Sequence, residues 1–210
     1  MRGRFITFEG GEGCGKSTQL KRLADRLARE GVEVECVREP GGTLLCERVR
    51  SILKEESADP PCDECELLLF LAARAQLVRE VIAPRLEAGK WVLSDRFSDS
   101  TVAYQGYGRG LDMTFLRAAN AFACGGIKPD LTLLLDVGEK EALERRCRRE
   151  LATDTSADRI ELAGADFHRR LADGFRKIAA AEPERIVTID AGGTIDEVGE
   201  RIWKSLKRLR

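Results

Sequence analysis

The sequence predicts an α/β fold in which a five-stranded parallel sheet is flanked by helices on both faces. Five short runs are almost continuously apolar, and they lie at residues 4–8, 32–37, 91–94, 131–137 and 185–189. Strands buried on both faces have this pattern, whereas half-exposed strands alternate apolar and polar residues. The runs alternate with segments of helical periodicity, at residues 18–30, 64–87, 114–123, 140–150, 167–181 and 195–209. Alternation of this kind indicates three layers, with the sheet in the middle.

Glycine, proline and capping residues mark the ends of these segments. Gly31, Gly89 and Gly125 lie where helices should end, Asp63 is a candidate N-cap, and Pro183 separates a helix from the last strand. The chain has no internal repeat and no low-complexity linker. We therefore expect residues 1–210 to form one domain.

Composition and charge exclude several classes of protein. With 210 residues and 43% hydrophobic content the chain is long enough for one sizeable core. Its net charge of -1 balances 35 basic against 36 acidic residues, which argues against nucleic-acid or membrane-surface binding. The N-terminal stretch lacks an apolar segment of signal-peptide length, and no run is apolar enough to span a membrane. We expect a cytoplasmic protein.

The cysteines give little sign of a metal or disulfide framework. Their number is seven, which is odd, and they are scattered along the chain. Only Cys62 and Cys65 have metal-ligand spacing, but zinc needs about two further ligands and His168 is the only histidine. We interpret these two cysteines as small residues at the start of a helix, and all seven as reduced thiols.

A phosphate-binding loop follows the first predicted strand directly. Residues 10–17 read GGEGCGKS, which is a complete G-x-x-x-x-G-K-[ST] pattern between a strand and a helix. In this motif the glycines turn backbone N–H groups toward an anion, Lys16 neutralises terminal phosphates, and the Ser17 hydroxyl can bind magnesium. The helix N-terminus adds partial positive charge. The sequence therefore predicts a fold of the P-loop NTPase type with a nucleoside triphosphate bound by Gly10, Gly11, Glu12, Gly13, Cys14, Gly15, Lys16, Ser17 and Thr18.

Polar residues also follow two further strands. Because ligands bind at the carboxyl ends of parallel strands, we expect Glu9, residues 38–43 and the Asp95–Arg96 pair to face one crevice beside the loop. Asp95 is placed to sit near magnesium and Arg96 to meet a phosphate oxygen. Residues 38–43 read REPGGT, and the rigid Pro40 with two glycines is typical of backbone that approaches a ligand closely.

Three further features admit both a structural and a functional interpretation. Phe70 and Arg74 lie one helical turn apart and could grip a nucleobase together, although a phenylalanine is more often a core residue. Residues 97–107 carry hydroxyls, an amide and two tyrosines, and we expect them to recognise a polar small molecule rather than to form an ordinary helix. The basic run at residues 145–149, beside the polar loop predicted at residues 151–157, is either a solvated helix face or an arginine-rich lid.

Several long motifs, in order along the chain, resemble those of bacterial thymidylate kinases. They are FEGGEGCGKSTQ at residues 8–19, REPGGT at 38–43, ELLLFLAARAQ at 66–76, SDRFSDSTVAYQG at 94–106 and DRIE at 158–161. The resemblance implies transfer of the γ-phosphate of ATP to dTMP, giving dTDP, with Mg²⁺ at Ser17 and Asp95. It also implies a homodimer, for which residues 118–126 are a candidate packing segment.

The resemblance further implies roles for individual residues. Phe70 would stack on thymine, Arg74 would bind its exocyclic oxygen, and Tyr104 would crowd the 2′ carbon of the sugar. Glu12 would bind the 3′-hydroxyl, and Arg38 and Arg96 would hold the acceptor phosphate. The remaining residues expected in the acceptor pocket are Pro40, Thr101 and Gln105.

The phosphate loop itself contains no arginine, so the resemblance implies that a lid spanning about residues 145–160 supplies that charge. Arg149 and Arg159 are therefore catalytic candidates beside Lys16, Asp95 and Arg96. Phe97 departs from the tyrosine or histidine common at its position, which we expect to alter packing only.

Two other functions remain open at this point. One is a kinase for another nucleoside monophosphate or for a non-nucleotide hydroxyl compound, which an acceptor panel distinguishes. The other is a nucleotide-dependent switch, which the REPGGT segment and the absence of an Asn-Lys-x-Asp element disfavour.

Overall fold

The computed structural model describes residues 2–55, 59–153 and 164–209, and it contains one parallel sheet in that part of the chain. Its strands are β1 (Phe5–Glu9), β2 (Val34–Arg38), β3 (Trp91–Asp95), β4 (Leu131–Asp136) and β5 (Ile186–Asp190). Their order is β2-β3-β1-β4-β5. The phosphate-loop strand β1 is therefore central, with Thr7 opposite Ser94 on one side and Thr132 on the other.

The helices lie on both faces of this sheet. They are α1 (Lys16–Arg29), α2 (Leu44–Lys54), α3 (Asp63–Leu77), α4 (Ala83–Glu87), α5 (Ser98–Thr101), α6 (Met113–Cys124), α7 (Glu139–Thr153), α8 (Ala165–Ala181) and α9 (Ile195–Ser205). π-helical segments at Val78–Ile82 and Val102–Gly108 continue α3 and α5, and a 3₁₀ turn, Leu206–Leu209, follows α9. Within the described ranges, every helix is too short or too polar for a transmembrane span.

The alternation of side chains along β1 divides the core between two layers. Ile6 and Phe8 are fully buried against α1 and α9, whereas Phe5 is buried against α2 and α3 on the opposite face. This arrangement follows from the period of two in a strand, because both faces of the central strand must be covered by apolar side chains. The predicted α/β class, the five parallel strands and the three layers are confirmed.

Two segments differ from the sequence analysis. It made no assignment at residues 44–54, where α2 forms: Thr43 caps this helix by accepting a hydrogen bond from the Cys46 N–H, and Cys46, Val49 and Leu53 face the core. Residues 98–108 are also helical, contrary to expectation, because Val102, Ala103 and Tyr104 are buried.

Two boundaries also differ from the prediction. Cys62, and not Asp63, occupies the N-cap position of α3. Helix α7 continues to Thr153, so the first three residues of the predicted polar loop at 151–157 are helical. The rest of that loop, and the lid as far as residue 160, lie outside the described residues.

Candidate active site

A cavity of about 770 Å³ opens at the carboxyl ends of β1, β2 and β3. A volume of this size is ample for a nucleotide ligand. Its walls come from the phosphate loop, the turns after β2 and β3, and the helices α2, α3 and α5 with its π-helical continuation. The predicted residues that line it are Glu12, Gly13, Cys14, Gly15, Lys16, Ser17, Thr18, Arg38, Pro40, Phe70, Arg74, Asp95, Arg96, Thr101, Tyr104 and Gln105.

The phosphate loop has the backbone geometry that its glycines predict. Gly13 has a φ of 76°, and a Cβ atom there would lie 2.4 Å from the Ala142 carbonyl oxygen, so only glycine fits. The Lys16 ammonium donates to the carbonyl oxygens of Gly10 at 3.1 Å and Gly11 at 2.7 Å. Helix α1 begins at Lys16 and has no acidic residue in its first turn, so its N-terminal N–H groups favour an anion.

Ser17 and Asp95 meet at the edge of this loop. The Ser17 hydroxyl donates to Asp95 Oδ2 at 2.5 Å, although 78 residues separate the two along the chain. Parallel pairing of β1 with β3 brings them together, because Phe8 lies opposite Asp95 in the register. A hydroxyl and a carboxylate are hard oxygen donors, so this pair fits a magnesium ion of the kind that accompanies phosphates.

Arg96 occupies a strained turn between β3 and α5. Its φ of 74° is the one positive value of a non-glycine residue in the described part of the chain. Nη1 donates to the Gly10 carbonyl at 3.0 Å and to Ser100 Oγ at 3.2 Å, and Nη2 pairs with the Glu12 carboxylate. The guanidinium also lies 4.9 Å from the Tyr104 ring centroid. Backbone strain held by this many contacts is typical of a residue that must point at a ligand.

Glu9 does not face the cavity, contrary to expectation. Its carboxylate is completely buried and accepts hydrogen bonds from Phe97 N at 2.8 Å, Ser100 N at 3.3 Å and Ser100 Oγ at 2.5 Å. Burial and the neighbouring Asp99 raise the pKa of Glu9 to about 8. The residue therefore holds the start of α5 in place rather than contacting a ligand.

Arg74 lies in the wall of the cavity and is only 1% exposed. Nε and Nη2 donate to Glu39 Oε2 at 2.9 and 2.5 Å, and Nη2 also donates to the Phe97 carbonyl at 3.0 Å. Nη1 donates to Thr101 Oγ1 and Asn120 Oδ1, both at 2.7 Å. All five N–H groups of the guanidinium thus have protein acceptors. The sequence placed Glu39 in the crevice as part of residues 38–43, and it does line the cavity, but its pairing with Arg74 was not predicted. Asn120 was given no role in the site, since nothing local marks a residue that acts through a distant partner.

The turn after β2 is held by charged residues of α2. Arg38 Nη2 is 3.0 Å from both carboxylate oxygens of Glu47, and the Gly42 N–H donates to the same carboxylate at 3.0 Å. Arg50 Nη1 donates to the Pro40 carbonyl at 2.9 Å and lines the cavity. Sequence reasoning missed Arg50 because it missed α2, whose core positions at 46, 49 and 53 are visible in the sequence.

Arginines of α7 reach the cavity on the other side of the phosphate loop. Arg145 and Arg148 both line it. Arg145 Nη2 donates to the carbonyl oxygens of Ala191 at 3.0 Å and Gly193 at 3.4 Å. Its Nη1 would lie 3.9 Å from a Cβ placed on Gly15, so the guanidinium is adjacent to the loop. Of the two arginines predicted to be catalytic, the Arg149 side chain and the whole of Arg159 lie outside the described residues.

The cysteine pair shows the helix-start geometry expected of it. Cys62 and Cys65 lie at the first turn of α3 with exposed, free thiols. In the described ranges no three His, Cys, Asp or Glu residues cluster in a way that could hold a metal ion.

The sequence analysis also missed a further wall of the cavity. It consists of residues from the loop after β5 and the start of α9, namely Ala191, Gly193, Thr194, Ile195 and Val198. Their sequence gives a good helix N-cap at Thr194 but no sign of a ligand.

Comparisons with known proteins agree with this geometry. A family model described as thymidylate kinase matches residues 8–202. The chain is 50% identical to a thymidylate kinase of Synechococcus sp. (strain JA-3-3Ab), over 97% of this chain and 95% of the relative. It is 47% identical to one of Solidesulfovibrio magneticus, over 98% and 99%. A crystal structure of thymidylate kinase from Ehrlichia chaffeensis superposes with a TM-score of 0.78 at 36% identity, covering 99% of both chains. The chain belongs to the thymidylate kinase family.

Proposed function

We propose that this protein transfers the γ-phosphoryl group of ATP to dTMP, giving dTDP and ADP, in the synthesis of dTTP. One observation carries the proposal: the phosphate loop and the pocket around Phe70 and Arg74 line the same cavity, with Arg96 between them in contact with both Gly10 and Tyr104. Two nucleotides can therefore meet there end to end. The names of the relatives support dTMP as the acceptor.

On the donor side, the loop amides and Lys16 hold the phosphates of ATP. The Lys16 ammonium donates to the Gly10 and Gly11 carbonyls at the edge of the loop, and it would exchange these acceptors for phosphate oxygens. Ser17 and Asp95 would hold Mg²⁺, which neutralises and orients the phosphate oxygens when bound.

Charge between the two nucleotides comes from Arg96 and the arginines of α7. Phosphoryl transfer depends mostly on positioning and charge stabilisation. The acceptor phosphate is already ionised at neutral pH, so no dedicated general base is needed. Arg145 and Arg148 join Arg149 and Arg159 as candidates for the cation that contacts the migrating group.

On the acceptor side, Phe70 stacks on the base, Tyr104 lies against the sugar, and Glu12 binds the 3′-hydroxyl. Thr101, Gln105 and Pro40 complete the pocket, while Arg38 and Arg96 hold the phosphate. Arg74 contacts the exocyclic oxygen of the base through an Nη1 N–H group that also donates a hydrogen bond to Thr101 or Asn120.

An acceptor panel with ATP tests the proposal. The rate of dTMP phosphorylation should clearly exceed the rates for cytidylate and guanylate. It should also measurably exceed the rate for uridylate. A clear preference for another acceptor would favour a different small-molecule kinase. Rapid ATP or GTP hydrolysis without an acceptor, stimulated by a protein partner, would instead favour a nucleotide switch.

The same proposal includes a single kinase domain with a lid at about residues 145–160, a cytoplasmic location and a homodimer.

Exposed apolar side chains support the homodimer, since Leu44 of α2, Leu68 of α3 and Phe122 of α6 are exposed and α3 packs against both other helices. Phe122, within the predicted packing segment, is 88% exposed. Light scattering should give twice the chain mass, and Phe122→Asp should give monomers. A wild-type monomer at micromolar concentration would contradict the homodimer.

A further inference from the structure

Gln105 and Glu66 form a buried hydrogen bond beside the acceptor pocket. Gln105 lies in the π-helical segment after α5, lines the cavity and is 2% exposed. Its Nε2 donates to Glu66 Oε1 at 2.9 Å. Glu66, in the first turn of α3, is 1% exposed and does not line the cavity. It is therefore placed to act on a ligand only through Gln105.

The chemistry of this pair fixes the orientation of the Gln105 amide. A carboxylate only accepts hydrogen bonds, whereas an amide donates at one end and accepts at the other. The amide must therefore direct its NH₂ group to Glu66, which leaves its carbonyl oxygen at the other end. In the described part of the chain, no other hydrogen bond of the Gln105 side chain is present. The carbonyl oxygen is thus available to a ligand in the cavity.

Arg109 keeps the carboxylate in place from the other side. Its Nη2 lies 3.1 Å from Glu66 Oε2 and its Nε 3.4 Å from Oε1, while Nε also contacts Asp63 at 3.3 Å. A buried carboxylate paired with a guanidinium in this way is held as an acceptor. Both of its oxygens accept hydrogen bonds, so Gln105 can meet this carboxylate only through its own NH₂ group.

We propose that Glu66 is a positioning residue for base specificity, because it makes Gln105 present an acceptor to the substrate base. The inference rests on the proposed function. Thymine and uracil carry an N–H at ring position 3, which pairs with a carbonyl oxygen. Cytosine has an unprotonated nitrogen there, so it would place one acceptor against another. A site built to hydrogen-bond one group rejects the analogue that lacks it, because its own buried polar atom is left unpaired.

Glu66→Gln tests this directly. Its new amide would keep its oxygen toward Arg109 and turn its NH₂ toward Gln105, so the Gln105 amide would flip and present NH₂ to the base. The ratio of kcat/KM for dTMP over dCMP should fall about tenfold or more, mainly through KM for dTMP. The ratio for dTMP over dUMP should stay within about twofold of the wild-type value, because both bases have the same N–H.

Two further variants separate positioning from packing. Gln105→Met should also lower the dTMP preference over dCMP, and adding Glu66→Gln to it should change the ratio no further. Thr7→Val is the matched control, since it removes the buried hydrogen bond of 2.7 Å between Thr7 on β1 and Thr132 on β4, neither of which lines the cavity. It should lower the unfolding temperature and leave every acceptor ratio unchanged.

Specific results would overturn the inference. A folded Glu66→Gln protein with the wild-type dTMP:dCMP ratio would do so, as would equal changes in both ratios, which indicate a loosened pocket. If Glu66→Gln fails to fold, a wild-type ratio in Gln105→Met is decisive against it. Failure of the wild-type protein to phosphorylate dTMP is a distinct result: it removes the proposed function, and the inference with it.

Discussion

The phosphate loop and the acceptor pocket share one cavity but are built differently. The loop is a contiguous stretch between β1 and α1, and its shape comes from glycine backbone conformations such as that of Gly13. The acceptor pocket is built from side chains that meet across long stretches of sequence. Arg74 bonds to Glu39, 35 residues earlier, and to Asn120, 46 residues later.

This difference predicts which substitutions damage each part of the cavity. A binding site made of backbone N–H groups survives most side-chain changes, provided that the glycines and the lysine remain. A site made of buried, mutually hydrogen-bonded side chains depends on every member, because removal of one leaves its partners unsatisfied. Substitutions in the loop should therefore affect turnover, whereas substitutions in the acceptor pocket should affect stability and substrate binding together.

The largest effect should come from Lys16→Ala. Loss of the ammonium proposed to face the terminal phosphates should lower kcat about a hundredfold to thousandfold, with little change in the unfolding temperature. Lys21→Ala, on the exposed face of the same helix, is the control and should be active. A steady-state assay with ATP and dTMP measures both. Activity of Lys16→Ala within tenfold of wild type would contradict the proposed mechanism.

Arg74→Met should be the most damaging change for folding in the acceptor pocket. It leaves Glu39 buried without its cation, and breaking a buried pair typically costs about 3–5 kcal/mol of unfolding free energy. The double variant Arg74→Met/Glu39→Gln should recover part of that loss, because the uncompensated charge is gone. Urea unfolding measures both free energies. Equal stability of the single and double variants would show that the pair is not the stabilising element.

Phe70→Ala should have a moderate effect on acceptor binding. A base stacked on an aromatic ring contributes roughly 1–3 kcal/mol, so dTMP affinity should fall about tenfold or more while ATP affinity is unchanged. Glu64→Ala, at an exposed position on the same helix, serves as the control. Calorimetric titration with dTMP measures the difference. Unchanged dTMP affinity in Phe70→Ala would remove this ring from the pocket.

The last prediction concerns the pH dependence of stability and centres on Glu9, whose pKa is about 8 in the folded protein against about 4.5 in an unfolded chain. Between these values the folded state holds a proton that the unfolded state has lost, so stability should fall as pH rises from about 5 to about 8. Glu9→Gln should reduce that slope, by at most about 1.4 kcal/mol per pH unit. Denaturant midpoints across this range measure it. An identical slope in both proteins would contradict the raised pKa.

The predictability of the fold follows the same division between local and distant interactions. The five strands were predictable because burial on both faces leaves uninterrupted apolar runs, as in Leu131–Asp136. Helix α2 carried a visible pattern and could have been predicted from Thr43 and its core positions. The helical segment at residues 98–108 was harder to predict, because its polar residues face inward. Thr101 and Gln105 are buried, and their side chains form hydrogen bonds with Arg74 and Glu66, respectively.

The predictability of the site differs between the two parts of the cavity. Lys16, Ser17, Asp95 and Arg96 could be assigned from a loop motif and from strand ends, and the cavity contains all four. Glu9 was misplaced because a strand-end position does not reveal whether a carboxylate faces a ligand or caps a helix. Arg50, Glu39 and Asn120 form hydrogen bonds that join different helices and turns. No local sequence pattern predicts how those elements are placed relative to one another.

By itself the sequence determined the parallel sheet, the anion-binding loop and the pairing of that loop with Asp95 and Arg96, because apolar runs, a glycine-rich motif and polar residues at strand ends are visible in short stretches of sequence. Only the tertiary structure decided which buried polar groups satisfy one another. Glu39, Asn120 and Glu66 gain their roles from partners far away in the chain. Burial makes those partnerships obligatory, since a polar group removed from water must find a hydrogen bond wherever the packed chain provides one.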